Sequence, residues 1–133
     1  MFHRITDPTG RYMSLYKKWH LIGLELGVSV ASVGLRQEAT GAAITFKGDV
    51  AAIAKRDLKP GEMLDGEGGY TVSGGLRPAV VSIAQQYLPL GLAHKVKLVR
   101  PVKEGTAVTY ADVEIDTTSA AYRLRKQMEK MYG

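Results

Sequence analysis

The chain contains one short pattern twice, and this repeat limits its possible folds more than any other feature of the sequence. Residues 54–65 read AKRDLKPGEMLD and residues 98–109 read LVRPVKEGTAVT, and the two segments align without a gap at an offset of 44 positions. Each copy has the pattern of a strand end, a tight turn containing glycine, and a second short strand. A solenoid needs at least three repeats, so two copies predict a small β domain with two similar halves. The matched positions are Arg56 with Arg100, Leu58 with Val102, Lys59 with Lys103, Gly61 with Gly105, and Leu64 with Val108.

The repeat occupies the middle of a chain of 133 residues, which is long enough for one domain with a real core. We therefore divide the chain into the repeat region and two flanks. The predicted regions are an N-terminal arm and helix over 1–48, a β domain over 49–116, and a C-terminal amphipathic helix over 117–133.

The N-terminal flank combines a turn, an aromatic segment and a helix. The sequence Asp7-Pro8-Thr9-Gly10 is a strong turn signal. Arg11–Trp19 is rich in aromatic residues and predicts either a strand or a docking arm. Leu21–Leu35 is ambiguous, because its β-branched residues favour a strand, whereas its length and apolar spacing favour a helix. We predict a helix there.

The β domain is predicted to contain several short strands, two turns and one short helix. Both turns carry glycine, which tolerates positive φ, and the first also carries proline. The glycine-rich segment 66–75 fits either a flexible β connection or a phosphate cradle of backbone N–H groups. The other predicted elements are a fully buried strand at Asp49–Lys55, turns at 59–62 and 103–106, a helix at Pro78–Leu88 with Val81, Ala84 and Leu88 as its apolar stripe, a half-exposed strand at Lys95–Arg100, and a last strand at Asp112–Ile115.

The C-terminal tail gives the clearest helix signal. Thr117, Thr118 or Ser119 can cap it. Four apolar residues then follow at a spacing of three, four and three, which places them on one face of a helix. Those residues are Ala121, Leu124, Met128 and Met131, and the other face carries Arg123, Lys126 and Lys130.

Composition and charge exclude several classes of protein. Cysteine is absent, which excludes disulfides, thiolate zinc sites and cysteine nucleophiles. The net charge of +5 comes from the two flanks, while residues 49–116 are nearly neutral. A nucleic-acid binder places a basic stripe on its folded face, so we expect no nucleic-acid partner. We also expect a cytoplasmic location and no membrane partner, because the sequence shows neither a bilayer-spanning apolar run nor a secretory signal.

The second copy of the repeat resembles a known domain family. Residues 103–113 (KEGTAVTYADV) fit the form K-x-G-x-x-[LV]-T-x-x-D-[VI]. This pattern is similar to the signature of the SAF domain, a β-clip module found in antifreeze proteins, sialic acid synthases, flagellar P-ring chaperones and sugar-acid dehydratases. The resemblance implies a fold that is mainly β with flanking α, namely a SAF-type β-clip domain with an N-terminal arm and helix and a C-terminal helix.

A wider resemblance covers nearly the whole chain. Residues 51–70, residues 88–93 and the tail resemble the C-terminal region of bacterial, homoserine-dehydrogenase-like NAD(P)-dependent oxidoreductases. Tyr12–Tyr16 and His20-Leu21 resemble the segment that precedes the SAF module there. Some members of that family are similar to the reductoisomerase that acts on deoxyxylulose phosphate in isoprenoid biosynthesis. The resemblance implies NADP as cofactor of the larger enzyme, a Rossmann-type catalytic domain or chain as partner, and a homo-oligomer.

The sequence departs from that family at the cofactor site. A Rossmann domain carries a G-x-G-x-x-G turn after its first strand, and this motif is absent here. Gly66–Gly69 lacks the required spacing. We therefore assign no catalytic, cofactor-binding or metal-binding residue to this chain. The candidates for ligand binding or for an interface are Arg56, Tyr70, Arg100, Trp19 and His20.

Three functions remain open from the sequence. The first is a non-catalytic SAF module that binds and positions within an NAD(P)-dependent oxidoreductase. The second is an enzyme in its own right, such as part of a sugar-acid dehydratase or lyase, and the third is a carbohydrate-binding or flagellar-chaperone SAF protein. Missing nucleophiles and cofactor loops disfavour the second, and a missing export signal disfavours the third. The apolar residues of segment 11–35 and of the tail also predict a homodimer.

Overall fold

The structure is a computed structural model that describes residues 3–16 and 18–132, with the backbone alone for residues 3–5 and 15. The contacts divide the chain into two compact units, Met1–Ala43 and Ile44–Gly133. The tail helix therefore belongs to the same unit as the repeat. Each unit is described by itself.

The first unit consists of a hairpin and a helix. Strands β1 (His3–Thr6) and β2 (Met13–Tyr16) pair in antiparallel fashion. The predicted turn joins them, and the Asp7 carboxylate accepts the N–H of Thr9 at 3.0 Å and that of Tyr12 at 2.9 Å. The predicted helix is also present, as α1 over Ile22–Arg36.

The second unit contains small antiparallel sheets, two α-helices and two short 3-10 helices, Leu90–Leu92 and Tyr110–Asp112. Strands β3 and β5 form one sheet, and β4, β6 and β7 form another in the order β4-β6-β7. The unit as a whole mixes strand and helix. Its elements are β3 (Gly48–Ala54), β4 (Met63–Asp65), β5 (Val72–Pro78), α2 (Ala79–Ala84), β6 (His94–Leu98), β7 (Val113–Glu114) and α3 (Ala120–Tyr132).

The backbone hydrogen bonds of the second unit follow the sequence repeat. Leu58 and Val102, which are repeat equivalents, donate to each other's carbonyl groups at 2.8 and 3.1 Å. A local twofold axis therefore passes between them. The N–H of Gly61 donates to Leu98 at 2.7 Å, and the N–H of Gly105 donates to Ala54 at 2.8 Å. Each turn thus closes on the strand that precedes the other turn, and the predicted two similar halves are confirmed.

The hydrophobic core is built largely from the repeated positions. Leu58 and Val102 are buried, as are their neighbours in the pattern, Leu64 and Val108. Leu88 is fully buried in the same cluster. The repeat therefore supplies both the hydrogen bonds and much of the apolar contact between the two halves.

Two glycines show why the turns need this residue. Gly61 and Gly105 hold φ values of +90° and +75°, which residues with a Cβ adopt only at a cost. The turn of the second copy is further fixed by Asp57, which accepts Lys103 Nζ at 2.7 Å and the N–H of Glu104 at 3.0 Å. The two copies are thus joined by side chains as well as by backbone.

Two predicted details of the β domain are wrong. Val50 in β3 is 44% exposed, so this strand is not buried along both faces. Helix α2 ends at Ala84, and its buried residues are Ala79 and Ser82 instead of Val81 and Ala84. Ser82 turns inward because its hydroxyl donates to the buried carboxylate of Asp49 at 2.5 Å.

The apolar stripe of the tail helix largely faces solvent, whereas an amphipathic helix usually buries its apolar stripe. Leu124 and Met131 are 65% and 66% exposed. The half-buried side of α3 is mostly polar, with Arg125, Lys126 and Glu129 on it. The assignment of Lys126 to the solvent face is therefore wrong, while Arg123 and Lys130 are exposed as predicted.

Candidate functional site

Helix α1 has four distinct faces. At about 100° per residue, large apolar side chains form two stripes on opposite sides of the helix. Small residues fill one of the gaps between the stripes, and polar residues fill the other. The first apolar stripe is Ile22, Leu26, Val30 and Val33, and the second is Leu24, Val28 and Leu35. The small face is Gly23, Gly27, Ala31 and Gly34, and the polar face is Glu25, Ser29, Ser32 and Arg36.

Both apolar stripes of α1 are exposed in this chain. The seven large apolar side chains are between 62% and 85% exposed. The buried residue of the helix is Ser32, which lies on the polar face. A Cβ built on Gly23, Gly27 or Gly34 meets no atom within 4 Å, so the small face is open as well. We call the two stripes together the α1 apolar surface.

Helix α3 is attached to the second unit by an ion-pair cluster. Arg125 donates from Nη1 and Nη2 to the two carboxylate oxygens of Asp49, at 2.9 and 2.5 Å. Its Nε donates to Glu129 at 2.7 Å. The Arg125 guanidinium also lies 5.1 Å from the centre of the Phe46 ring. The cluster is largely buried, with the Arg125 and Asp49 side chains 12% and 6% exposed.

The electrostatics of this cluster keep its carboxylates charged. Burial opposes ionisation of Asp49, but hydrogen bonds from Arg125 and Ser82 outweigh it and hold the pKa of Asp49 below its ordinary value. The pKa of Glu129 is lowered in the same way, with burial opposed by Lys126 and Arg125. A buried ion pair of this kind fixes a geometry, because either partner alone is costly to bury.

An aromatic group completes the contact between α3 and its unit. Lys126 Nζ lies 3.7 Å from the centre of the Tyr110 ring. The rings of Tyr110 and Tyr122 meet edge to face with centres 5.9 Å apart. Burial raises the pKa of Tyr110 above its ordinary range, so its phenol stays protonated. These contacts pack α3 against the rest of the second unit.

A cleft of about 370 Å3 opens in the second unit. It lies between the start of β6 on one side and β7 with the start of α3 on the other. His94 is fixed in this cleft by a 3.0 Å contact between its Nδ1 and the carbonyl oxygen of Asp65. The residues that line the cleft are Gly91, Leu92, His94, Lys95, Val96, Glu114, Ile115, Asp116, Ser119 and Ala121.

The glycine-rich loop does not form a phosphate cradle. The carboxylate of Asp65 accepts the N–H groups of Tyr70 and Thr71 at 2.6 and 3.0 Å. Together with the hydroxyl of Thr71, these donors lower the pKa of Asp65 to about 2. The carboxylate at the end of β4 therefore occupies two of the N–H groups that could otherwise bind a phosphate. From Val72 onward the segment is strand β5.

Three of the five candidate residues from the sequence, Arg56, Tyr70 and Arg100, belong to the second unit. Arg56 is engaged with Glu62, from Nη2 to Oε2 at 2.5 Å. In the second copy Thr106 occupies the place of Glu62, and within the described residues Arg100 has no such carboxylate partner. Tyr70 is 86% exposed at the tip of its loop.

Trp19 and His20 belong to the first unit. Trp19 is exposed and lies beside Lys18, whose Nζ is 5.3 Å from the ring centre. His20 Nδ1 lies 2.8 Å from the carboxylate of Glu25. Both residues stand just before α1, next to the α1 apolar surface in sequence.

Sequence reasoning missed the residues that hold α3. The sequence pattern places Asp49 in an apolar strand and gives Arg125 no distinct role. One signal was available, since Arg125 and Glu129 are four residues apart and meet on one face of a helix. Nothing in the sequence paired either of them with Asp49.

The described part of the chain shows neither a metal-binding cluster nor a bilayer-spanning helix. Within residues 3–16 and 18–132, no three histidine, cysteine, aspartate or glutamate side chains are grouped so that they could hold a metal ion. None of the described helices has the length and apolar character needed to cross a bilayer.

The whole chain has no significant match among known protein families or curated proteins.

Proposed function

We propose that this chain is a non-catalytic binding and assembly module of the SAF, or β-clip, type. It corresponds to the C-terminal part of an NAD(P)-dependent oxidoreductase that uses NADP. Support for the β-clip comes from residues 103–113, which carry the SAF-like signature, and from the twofold pairing of Leu58 with Val102.

The observation that carries the assembly function is the exposure of the α1 apolar surface. Burying each of its large side chains contributes roughly 1.5–3 kcal/mol, and an isolated helix of this length is marginal in water. A helix that exposes apolar residues on two sides is stable only when another surface covers it. In the larger enzyme that surface is a Rossmann-type catalytic domain in the cytoplasm. In the isolated chain it is a second copy.

Light scattering on paired variants of α1 tests this function. The wild-type chain is expected to be a dimer at high micromolar concentration. Replacing Leu24 and Val28 together by aspartate places two charges on one apolar stripe and is expected to yield a monomer. Ser29→Asp adds a charge to the polar face of the same helix and serves as the matched control, which stays dimeric. A monomeric wild-type chain contradicts the proposal.

The non-catalytic part of the proposal has its own test. The chain alone is expected to show no saturable heat of binding with NADPH in calorimetry, because it lacks a dinucleotide fingerprint. The Gly68→Ala and Gly69→Ala variants test whether the glycine-rich segment 66–75 contributes to any NADPH binding. If the wild-type chain binds NADPH saturably and either substitution abolishes that binding, the proposal is contradicted.

A further inference from the structure

The cleft at the start of β6 has the size and the charges of a small-molecule site. Its volume of about 370 Å3 lies within the range of ligand pockets. Leu92 and Ile115, which pack on the hydrophobic core, give it apolar walls. The cleft belongs to the second unit, and the α1 apolar surface belongs to the first, so this site does not depend on the assembly proposal.

Opposite charges line the two sides of the cleft. Lys95 follows His94 at the start of β6, while Glu114 ends β7 and Asp116 precedes α3. Among the described residues, neither Lys95 nor Glu114 has a side-chain hydrogen bond or ion pair. Asp116 accepts the N–H and the hydroxyl of Thr118 at 2.8 and 2.6 Å, which keeps it ionised and fixed.

Two features constrain the Lys95 backbone and the His94 ring at the start of β6. Lys95 has a φ of +55°, the left-handed region that a residue with a Cβ adopts only under constraint. His94 is packed against Gly66, where an added Cβ would lie 3.1 Å from the imidazole. The contact of Nδ1 with the carbonyl of Asp65 further fixes the orientation of the ring.

We propose that this cleft binds a free aliphatic α-amino acid. The ammonium group lies between Glu114 and Asp116, and the carboxylate lies against Lys95. The aliphatic side chain contacts Leu92 and Ile115. A zwitterion satisfies both charged sides at once, whereas an ion of one sign leaves the opposite side unpaired.

Three ligands separate this proposal from simple charge attraction. L-leucine carries both charges, 4-methylpentanoate lacks the ammonium group, and 3-methylbutylamine lacks the carboxylate. We expect L-leucine to shift the amide resonances of His94, Lys95 and Glu114 saturably in NMR titrations of the full chain. Each analogue is expected to bind about tenfold more weakly or worse. Equal binding of either analogue overturns the proposal, as does the absence of saturable shifts up to about 10 mM leucine.

Matched variants test the two charged sides. Lys95→Asn keeps a residue that tolerates the left-handed φ and removes the charge, and Lys59→Asn, in the first turn of the repeat and outside the cleft lining, is its control. Glu114→Gln is paired with Glu104→Gln, which lies in a distant turn. We expect leucine affinity to fall about tenfold in Lys95→Asn and Glu114→Gln and to stay unchanged in both controls. Circular dichroism establishes that all four variants are folded, and wild-type affinity in folded Lys95→Asn and Glu114→Gln overturns the proposal.

Discussion

At the scale of single residues, Asp49 is the most consequential polar group of the second unit. It lies on β3 and accepts hydrogen bonds from Ser82 on α2 and from Arg125 on α3. Three segments that are far apart in sequence therefore meet at one carboxylate. Because the carboxylate is buried, its contribution to the stability of the second unit depends on all of its partners being present.

Removing Arg125 is expected to destabilise the second unit strongly. Arg125→Met leaves the carboxylate of Asp49 buried without its cation, which costs about 3 kcal/mol or more. Arg123→Met, on the exposed side of the same helix, is the control and is expected to change stability by less than about 0.5 kcal/mol. Urea unfolding measures both, and equal effects of the two substitutions would show that the cluster does not hold α3.

The same cluster makes stability depend on pH in the acid range. The folded pKa values of Asp49 and Glu129 are lowered, so both groups stabilise the fold fully above their unfolded pKa values of about 4. This stability is lost as the pH falls through the folded values. The melting temperature is therefore expected to be flat from about pH 7 to 5 and to fall below about pH 4. A double variant, Asp49→Asn with Glu129→Gln, is expected to show a shallower fall.

At the scale of elements, the two turns of the repeat are equivalent units. Gly61 and Gly105 each adopt positive φ, and each donates to the strand end that precedes the other turn. A substitution that strains either turn is therefore expected to weaken the backbone hydrogen bonds that join the two copies.

Alanine at either turn glycine is expected to cost a similar amount. Gly61→Ala and Gly105→Ala each force a Cβ into the left-handed region, at about 1–2 kcal/mol. Gly91→Ala is the control, since Gly91 has no positive φ and an added Cβ meets no atom within 4 Å. Chemical denaturation measures the three variants. A large cost at one turn and none at the other would contradict the twofold pairing.

The elements also show what the sequence could and could not predict. The turns and the pairing of the two copies were predictable, because glycine and proline act locally and a repeat implies equivalent environments. The packing of α3 was not predictable in the same way. Periodicity locates the stripe that includes Leu124 and Met131, but it does not say which face meets the core. The long-range ion pair between Asp49 and Arg125 turns the polar face of α3 toward the rest of its unit. The cleft was missed because His94, Glu114 and Asp116 lie on separate elements.

At the scale of the whole molecule, both long helices expose apolar stripes. Helix α1 buries Ser32 and exposes Leu24 and Leu35, while α3 turns Arg125 inward and Leu124 outward. Soluble monomers rarely expose contiguous apolar surface beyond a few hundred Å2. The proposed assembly function would account for both exposed stripes, since it covers them with another surface.

Hydrogen exchange of α1 at two protein concentrations tests this claim most directly. If a second copy covers the α1 apolar surface, amides over Ile22–Arg36 are protected at high micromolar concentration and exchange rapidly after dilution below the dissociation constant. Amides of β3 in the hydrophobic core are expected to be protected at both concentrations. Protection of α1 that is absent at both concentrations, or equally strong at both, would contradict the assembly function.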